Sequence, residues 1–345
     1  MVNAKIIGTG SYLPKNRLTN FDLYSKIQGF GIEAERERSR GRGIEVDNLT
    51  EEQVFNNWVL RVCGVNTRYF VEDETTEFMA QEASSKAIEM SQIDHKDIDL
   101  VILTTFTPTK DIPNSAAELS YRLNLRQGTP AFPINTACAG FVYGLSVANS
   151  LIKSGDYRTV LVASSESISK VIDFTTPNTA ILFGDGAGSA VLQATEEDRG
   201  VKAFYLGSDY DGKRISLDGI LTPGPRKIKM DGGEQVLKDA AEAMVLSTRK
   251  VLEKSNTRLE DIDLVIPHQG NKRITHRFAR RLNLGEGKVC DVINNYANTS
   301  AATIPIALDK LIRNEIKAMK IEEGNMVILT AIGGGYSYGA ALVQF

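Results

Sequence analysis

Cysteine is scarce in this chain, with three residues in 345, at positions 63, 138 and 290. An odd number so widely spaced makes neither a disulfide framework nor a metal-ligand spacing, and a reducing cytoplasm fits best. Histidine is equally rare, and tryptophan occurs once, at Trp58. No run approaches the ~18 apolar residues of a spanning helix, so no membrane segment is expected. The N-terminus, MVNAKIIGTGSYLP, meets Gly8, Gly10 and Pro14 before a long apolar run forms, so it reads as strand and turn rather than as a signal peptide. An excess of one charge is also missing: 40 Lys and Arg against 43 Asp and Glu leave a formal net charge of -3. That balance argues against a general nucleic-acid or membrane-surface binder.

What is present is 42% hydrophobic beside 24% charged residues, enough for a large core and roughly two domain-sized units. The strongest organising signal is an internal repeat. KAIEMSQIDHKDIDLVILTT (86–105) matches KVLEKSNTRLEDIDLVIPHQ (250–269) at an offset of 164 residues, both reading as helix, loop and buried strand. His268 then takes the place of Thr104. NTACAGFVYGLSVANSLIKSG (135–155) resembles NYANTSAATIPIALDKLIRNE (295–315) at an offset of 160, which sets Cys138 against Asn298. FGDGAGSAVLQA (183–194) and GGGYSYGAALVQF (333–345) close the two halves with glycine-rich turns entering final strands.

These pairs predict an α/β fold of two similar halves, 1–197 and 198–345, with sheets covered by helices on both faces. A pseudo-two-fold axis would bring Cys138 and Asn298 face to face at the starts of two central helices. Residues 28–52, QGFGIEAERERSRGRGIEVDNLTEE, stand outside the repeat. They read as a loop or short helical insert, with a lid or phosphate-contacting element as the alternative.

Three residues carry the chemistry. Cys138 lies among Ala137, Ala139 and Gly140, between an apolar run and a small-residue helix. A free thiol has a pKa near ~8.5, so a nucleophile needs its thiolate stabilised, and a helix N-terminus with a nearby imidazole does this. Small neighbours let a thioester and backbone N–H groups approach as an oxyanion hole, with a second donor from Gly333-Gly334-Gly335. Cys63 and Cys290 lack such surroundings and read as core or turn residues. His268 ends the strand-like run DLVIPHQ, whereas His95 and His276 read as solvent-facing. Asn298 either caps the helix beginning near Ser300 or, paired with a neutral His268 N–H, holds a developing enolate oxygen, since an amide donates without titrating.

In chain order KIIGTGSYLP, CAGF, FGDGAG, PHQGNKRI, NTSAA and GGGYSYGAALVQF resemble β-ketoacyl-acyl-carrier-protein synthase III, of the thiolase-like superfamily, over essentially the full length. The resemblance implies a five-layered αβαβα fold, a homodimer, and a two-stage reaction with no cofactor or metal. Cys138 takes an acyl group from acyl-CoA; His268 and Asn298 promote decarboxylation of malonyl-acyl carrier protein; the carbanion attacks the acyl-enzyme. The N–H groups of Cys138 and Gly334 hold the thioester oxyanion in that scheme. It further implies that Trp58 stacks on the CoA adenine and that Lys238 docks the carrier. Beside it, KRITHRFARRL (272–282) places Arg273, Arg277 and Arg280 or Arg281 about one helical turn apart, a basic stripe suited to an acidic carrier.

The match departs from the family at the binding surfaces. Pro177 and Asn178 stand where an arginine often faces the tryptophan, and an arginine of the 28–52 insert, such as Arg38, is the substitute to test. Ile112 and Ile332 occupy acyl-pocket positions that are commonly phenylalanine in acetyl-specific relatives, with Ile112 reaching across a dimer interface. Two other functions compete. A non-decarboxylating acyltransferase would pass the acyl group from Cys138 to an alcohol or amine and would leave Asn298 without a task. A non-catalytic thiolase-fold dimer partner need keep none of the three residues.

Overall fold

The computed structural model describes residues 2–219 and 221–345. In the first part of the chain the strands are β1 (Asn3–Tyr12), β2 (Asn16–Thr19), β3 (Thr67–Phe70), β4 (Leu100–Thr104), β5 (Ala131–Ile134), β6 (Thr159–Glu166) and β7 (Gly186–Thr195). The second part contributes β8 (Gly200–Ser208), β9 (Ile215–Leu217), β10 (Ile228–Met230), β11 (Leu264–Pro267), β12 (Met326–Ile332) and β13 (Ser337–Gln344). The helices are α1 (Asn20–Tyr24), α2 (Ile32–Arg40), α3 (Glu51–Val62), α4 (Thr76–Ser91), α5 (Ser115–Arg122), α6 (Gly140–Ser154), α7 (Pro177–Ala180), α8 (Gly233–Ser255), α9 (Lys272–Arg281), α10 (Ile293–Tyr296) and α11 (Thr303–Ile312).

LVILT in β4 and TVLVASSE in β6 show no polar alternation, and every one of their residues is buried, as a strand covered on both faces requires. They lie inside a sheet of order β1-β7-β6-β4-β5; the second sheet runs β8-β13-β12-β11. The two share one plan. β4 is parallel to β6 as β11 is to β12, while β6 pairs antiparallel with β7 as β12 does with β13. Where the first sheet has β5, the second keeps a single parallel bridge, Val265 with Val289.

Helices α4 and α5 cover the outer face of the first sheet, α8 and α9 that of the second, and α6 and α11 fill the space between, which makes the five-layered αβαβα arrangement. The central layer follows from spacing: Phe141, Leu145, Ala148 and Ile152 recur on one stripe of α6 and are buried against both sheets. Full burial of each such large apolar side chain stabilises the fold by roughly 1.5–3 kcal/mol. No helix of the described residues is long and apolar enough to cross a membrane.

The offset of 164 persists to the helix caps: α4 stops at left-handed Gln92 and α8 at left-handed Asn256. At the central helices the expected offset of 160 is corrected. A 3₁₀ turn Ala137–Ala139 precedes α6, and its mate Ser300–Ala302 precedes α11, an offset of 163. Ala137 and Ser300, each opening its turn, share a positive φ of 46° and 51°. Cys138 therefore corresponds to Ala301, and Asn298 to Asn135. The similarity of LIK and LIR near the helix ends drew the sequence match three residues out of register, because α11 is shorter than α6.

Candidate active site

The chain leaves β5 at Ile134 and turns sharply through Asn135 and Thr136. Asn135 Oδ1 accepts the N–H of Ala137 at 3.2 Å, which sets up the turn that raises Cys138 at the head of α6. Gly140 is needed at this junction: a Cβ there would stand 2.9 Å from Thr104 Cβ and 3.1 Å from Ala301 Cβ, so a side chain would push the two central helix starts apart. The triple-glycine turn packs equally closely, a Cβ at Gly333 falling 2.4 Å from Thr136 O and 3.0 Å from Cys138 N.

Burial pushes the Cys138 thiol up to about 11, against the opposing pull of the Ser300 hydroxyl and of the backbone N–H groups of Cys138 and Gly334. Desolvation thus outweighs the thiolate stabilisation expected of the helix terminus, and the balance favours the neutral thiol. Those two N–H groups nevertheless face the sulphur, as an oxyanion hole needs.

His268 follows β11, with its N–H bonded to Thr330 O at 2.8 Å. The ring is 5% exposed, and burial alone pushes its pKa down to about 3, so the imidazole is neutral at ordinary pH. Its Nδ1 lies 2.8 Å from Thr303 Oγ1. Asn298 is pinned across the halves, its N–H on Leu182 O at 3.0 Å and its C=O taking the N–H of Gly184 at 3.1 Å. Its side-chain Oδ1 accepts the N–H of Ser300 at 2.8 Å, repeating the Asn135 turn. That bond occupies the amide oxygen, so the NH₂ end is the part free to serve a ligand.

Cys138, His268, Asn298, Gly334 and Ile332 all line one cavity of about 840 Å³. Three lining features were not singled out from sequence. The hairpin β9–β10 forms one wall through Ile215, Leu217, Ile228 and Met230. Phe106 is held by Glu166, whose carboxylate accepts the N–H of Phe106 at 3.2 Å and of Thr107 at 3.2 Å and the Thr105 hydroxyl at 3.0 Å. Gly270 stands beside His268, where a Cβ would be 2.9 Å from Nε2. A glutamate ending an apolar run and a glycine two residues past the histidine were the available signals.

A second pocket, about 480 Å³, adjoins the first and shares Val62, Asn178 and Arg273 with it. Trp58 lies here with Pro177, and the insert contributes Arg38 and Arg42. The tryptophan is only 7% exposed, and Phe30 packs on it with ring centroids 4.6 Å apart, leaving little free ring surface for stacking. Buried Glu35 pairs with Arg38 at 3.1 Å and with Arg61.

Of the remaining expected positions Arg273 reaches the cavity wall, whereas Ile112, Lys238, Arg277, Arg280 and Arg281 do not line it. Ile112 is 89% exposed and does not line the cavity of its own chain. Arg273 and Arg277 both pair with Glu234 at 2.6 Å, and Arg281 pairs with Glu242 at 2.7 Å, so the stripe on α9 is partly neutralised by α8. Glu234, exposed Lys238 and Glu242 follow one another at single-turn spacing on α8, a juxtaposition of α8 with α9 hidden because the paired charges lie 39 to 43 residues apart. Arg280 is exposed and forms no ion pair among the described residues. Cys63 and Cys290 are buried, His276 is exposed and His95 is half-buried.

Comparison with known proteins places the whole chain in one family. The family described as 3-oxoacyl-[acyl-carrier-protein (ACP)] synthase III matches residues 132–210, and its C-terminal counterpart matches 252–345. The β-ketoacyl-[acyl-carrier-protein] synthase III of Aquifex aeolicus (strain VF5) is 37% identical over all of both chains, and that of Clostridium perfringens is 36% identical, also over all of both. The crystal structure of the Aquifex aeolicus VF5 3-oxoacyl-[acyl-carrier-protein] synthase III superposes with a TM-score of 0.86 at 35% identity, covering 99% of this chain and 100% of that one. A cysteine, a neutral histidine and an asparagine around one cavity thus occur in a chain that belongs to the 3-oxoacyl-[acyl-carrier-protein] synthase III family.

Proposed function

We propose that the protein condenses an acyl primer with malonyl-acyl carrier protein, with loss of CO₂, in the initiation of fatty-acid synthesis. The observation that carries this reading is the convergence of a thiol and two uncharged polar side chains, His268 and Asn298, on one cavity. Transfer of an acyl group to an alcohol or amine gives Asn298 no task, whereas enolate formation needs neutral donors for the thioester oxygen.

In the first stage Cys138 Sγ attacks the primer thioester, its proton leaving with the departing thiol, while the N–H groups of Cys138 and Gly334 hold the carbonyl oxygen. In the second, the C–COO⁻ bond of the malonyl thioester breaks and its electron pair becomes the enolate, held by N–H donors of His268 and Asn298. The enolate carbon attacks the acyl-Cys138 carbonyl and the thiolate departs, leaving a β-ketoacyl carrier. Electrons for the new C–C bond come from the lost carboxylate, so the chemistry draws on no redox cofactor.

Acyl-CoA supplies the primer, entering past the second pocket, where Arg38 and Arg42 take the place of the arginine that often faces the tryptophan near position 177. Trp58 borders that path. Lys238, Arg273, Arg277, Arg280 and Arg281 form the carrier-docking face, its positive charge concentrated on Arg280 and on the surplus of Arg273 and Arg277 over Glu234. The acyl chain runs against Ile332, and Ile112 joins the pocket from a second copy in a homodimer. The halves divide at 197/198.

Incubation with a panel of acyl-CoAs and malonyl-acyl carrier protein, following CO₂ and product mass, tests this. Acyl-Cys138 that forms without any β-ketoacyl product would sink the condensing assignment.

A further inference from the structure

The hydroxyl of Thr303, the first residue of α11, lies between two partners: His268 Nδ1 at 2.8 Å and Ser300 O at 2.9 Å. It has one hydrogen to give. If that hydrogen goes to Ser300 O, the hydroxyl accepts from Nδ1–H, and Nε2 meets the cavity as a bare lone pair. If it goes to Nδ1, Nε2 carries the hydrogen and meets the cavity as a donor. Nε2 itself makes no hydrogen bond to the described residues and lies beside Gly270 on the cavity wall.

Two observations favour the second arrangement. Ser300 O already accepts the backbone N–H of Thr303, so it has a partner without the hydroxyl. Asn298 has its amide oxygen tied to Ser300 N–H and can offer the cavity only its NH₂ end, which defines a place for an electron-rich oxygen. A bare Nε2 lone pair beside that place would repel such an oxygen, whereas Nε2–H would join in holding it. The first half of the chain shows that the pair is particular to this site. There Gly140 stands where α11 has Thr303, with no room for a side chain next to Thr104, the counterpart of His268.

We propose that Thr303 is a positioning residue that donates to His268 Nδ1 and thereby holds the imidazole as its Nε2–H tautomer. The inference rests on the condensation reading for its consequence, although the tautomer is measurable without any activity.

The test uses the full-length protein labelled with ¹⁵N-histidine, together with Thr303→Val and Thr303→Ser. In the parent protein the His268 ring nitrogens are expected to show a protonated Nε2. Thr303→Val, which keeps the shape and lacks the hydroxyl, is expected to lose CO₂ release from malonyl-acyl carrier protein by about 100-fold, the scale of losing one preorganised donor. Acylation of Cys138, read by intact mass, should stay within about threefold, the hydroxyl being remote from that step. Thr303→Ser restores CO₂ release and the parental tautomer.

A protonated Nδ1 in the parent protein overturns the proposal, as does Thr303→Val with undiminished CO₂ release. Equal loss of both half-reactions, unrescued by serine, assigns Thr303 a merely structural role and also overturns it. If the valine variant does not fold, the tautomer in the parent and serine proteins decides. Absence of CO₂ release from the parent would instead defeat the condensation reading and leave the tautomer result standing.

Discussion

Gly270→Ala isolates the histidine from the nucleophile. The added methyl would stand 2.9 Å from His268 Nε2 and 3.1 Å from its Cδ2, well inside the ~3.5–4 Å at which carbon atoms sit comfortably. The ring has nowhere to retreat, since Thr303 holds Nδ1 at 2.8 Å and the residue is 5% exposed. Backbone strain plays no part, because Gly270 is not among the positive-φ glycines. The methyl therefore costs about 1–3 kcal/mol of stability as overpacking and shields the nitrogen that faces substrate. Loss of that donor lowers CO₂ release from malonyl-acyl carrier protein by about 100-fold, or roughly 2.7 kcal/mol. Cys138 acylation, which does not use Nε2, stays within about threefold. The two half-reactions are read separately, by CO₂ trapping and by intact mass, with a thermal melt to confirm folding. CO₂ release at the parental rate in a folded variant would refute the placement of Nε2 at the reacting oxygen.

Three further expectations follow from the buried groups and the insert. Burial holds the Cys138 thiol near about 11 and His268 near about 3. Iodoacetamide labelling of Cys138 should therefore rise about tenfold per pH unit from 7 to 9, since the thiolate reacts; a plateau below pH 8 would contradict the raised thiol pKa. For His268 the folded value lies below the unfolded one of about 6.5, so the unfolded chain binds the proton first and stability falls as pH drops below 6.5. Between pH 7 and 5 this costs about 2 kcal/mol, which urea unfolding should show as a pH slope that His268→Gln removes; an identical slope in both proteins would refute it. Arg38→Ala or Arg42→Ala should raise the acyl-CoA KM about fivefold with little change in kcat, the scale of one partly screened charge contact. An unchanged KM would remove these arginines from primer binding.

The repeat at offset 164 was legible because a buried strand needs an unbroken apolar run and a helix C-cap favours a residue that tolerates positive φ, and both halves meet these local demands with similar residues. Register at the central helices was legible but masked: NTACA (135–139) and NTSAA (298–302) share Asn, Thr and Ala at an offset of 163. The turns at Ala137 and Ser300 are also alike in backbone angle and in their Asn–N–H bond, whereas the LIK and LIR ends match at an offset of 160 because α11 is shorter than α6. Asn298 was set beside the wrong symmetry mate, Cys138 instead of Asn135. Likewise the arginines of α9 were visible, but the glutamates that offset them lie on α8, brought alongside only by packing.

The sequence by itself determined which reactive groups the protein owns, the α/β alternation and the duplication, because these depend on residue type and short-range periodicity. Tertiary structure alone decided that burial favours the Cys138 thiol, that His268 is neutral, that Asn298 has its amide oxygen tied to Ser300 N–H, and that Phe30 covers Trp58. Each of these depends on burial or on a partner remote in sequence. Desolvation and hydrogen-bond geometry exist only once the two halves close around the cavity.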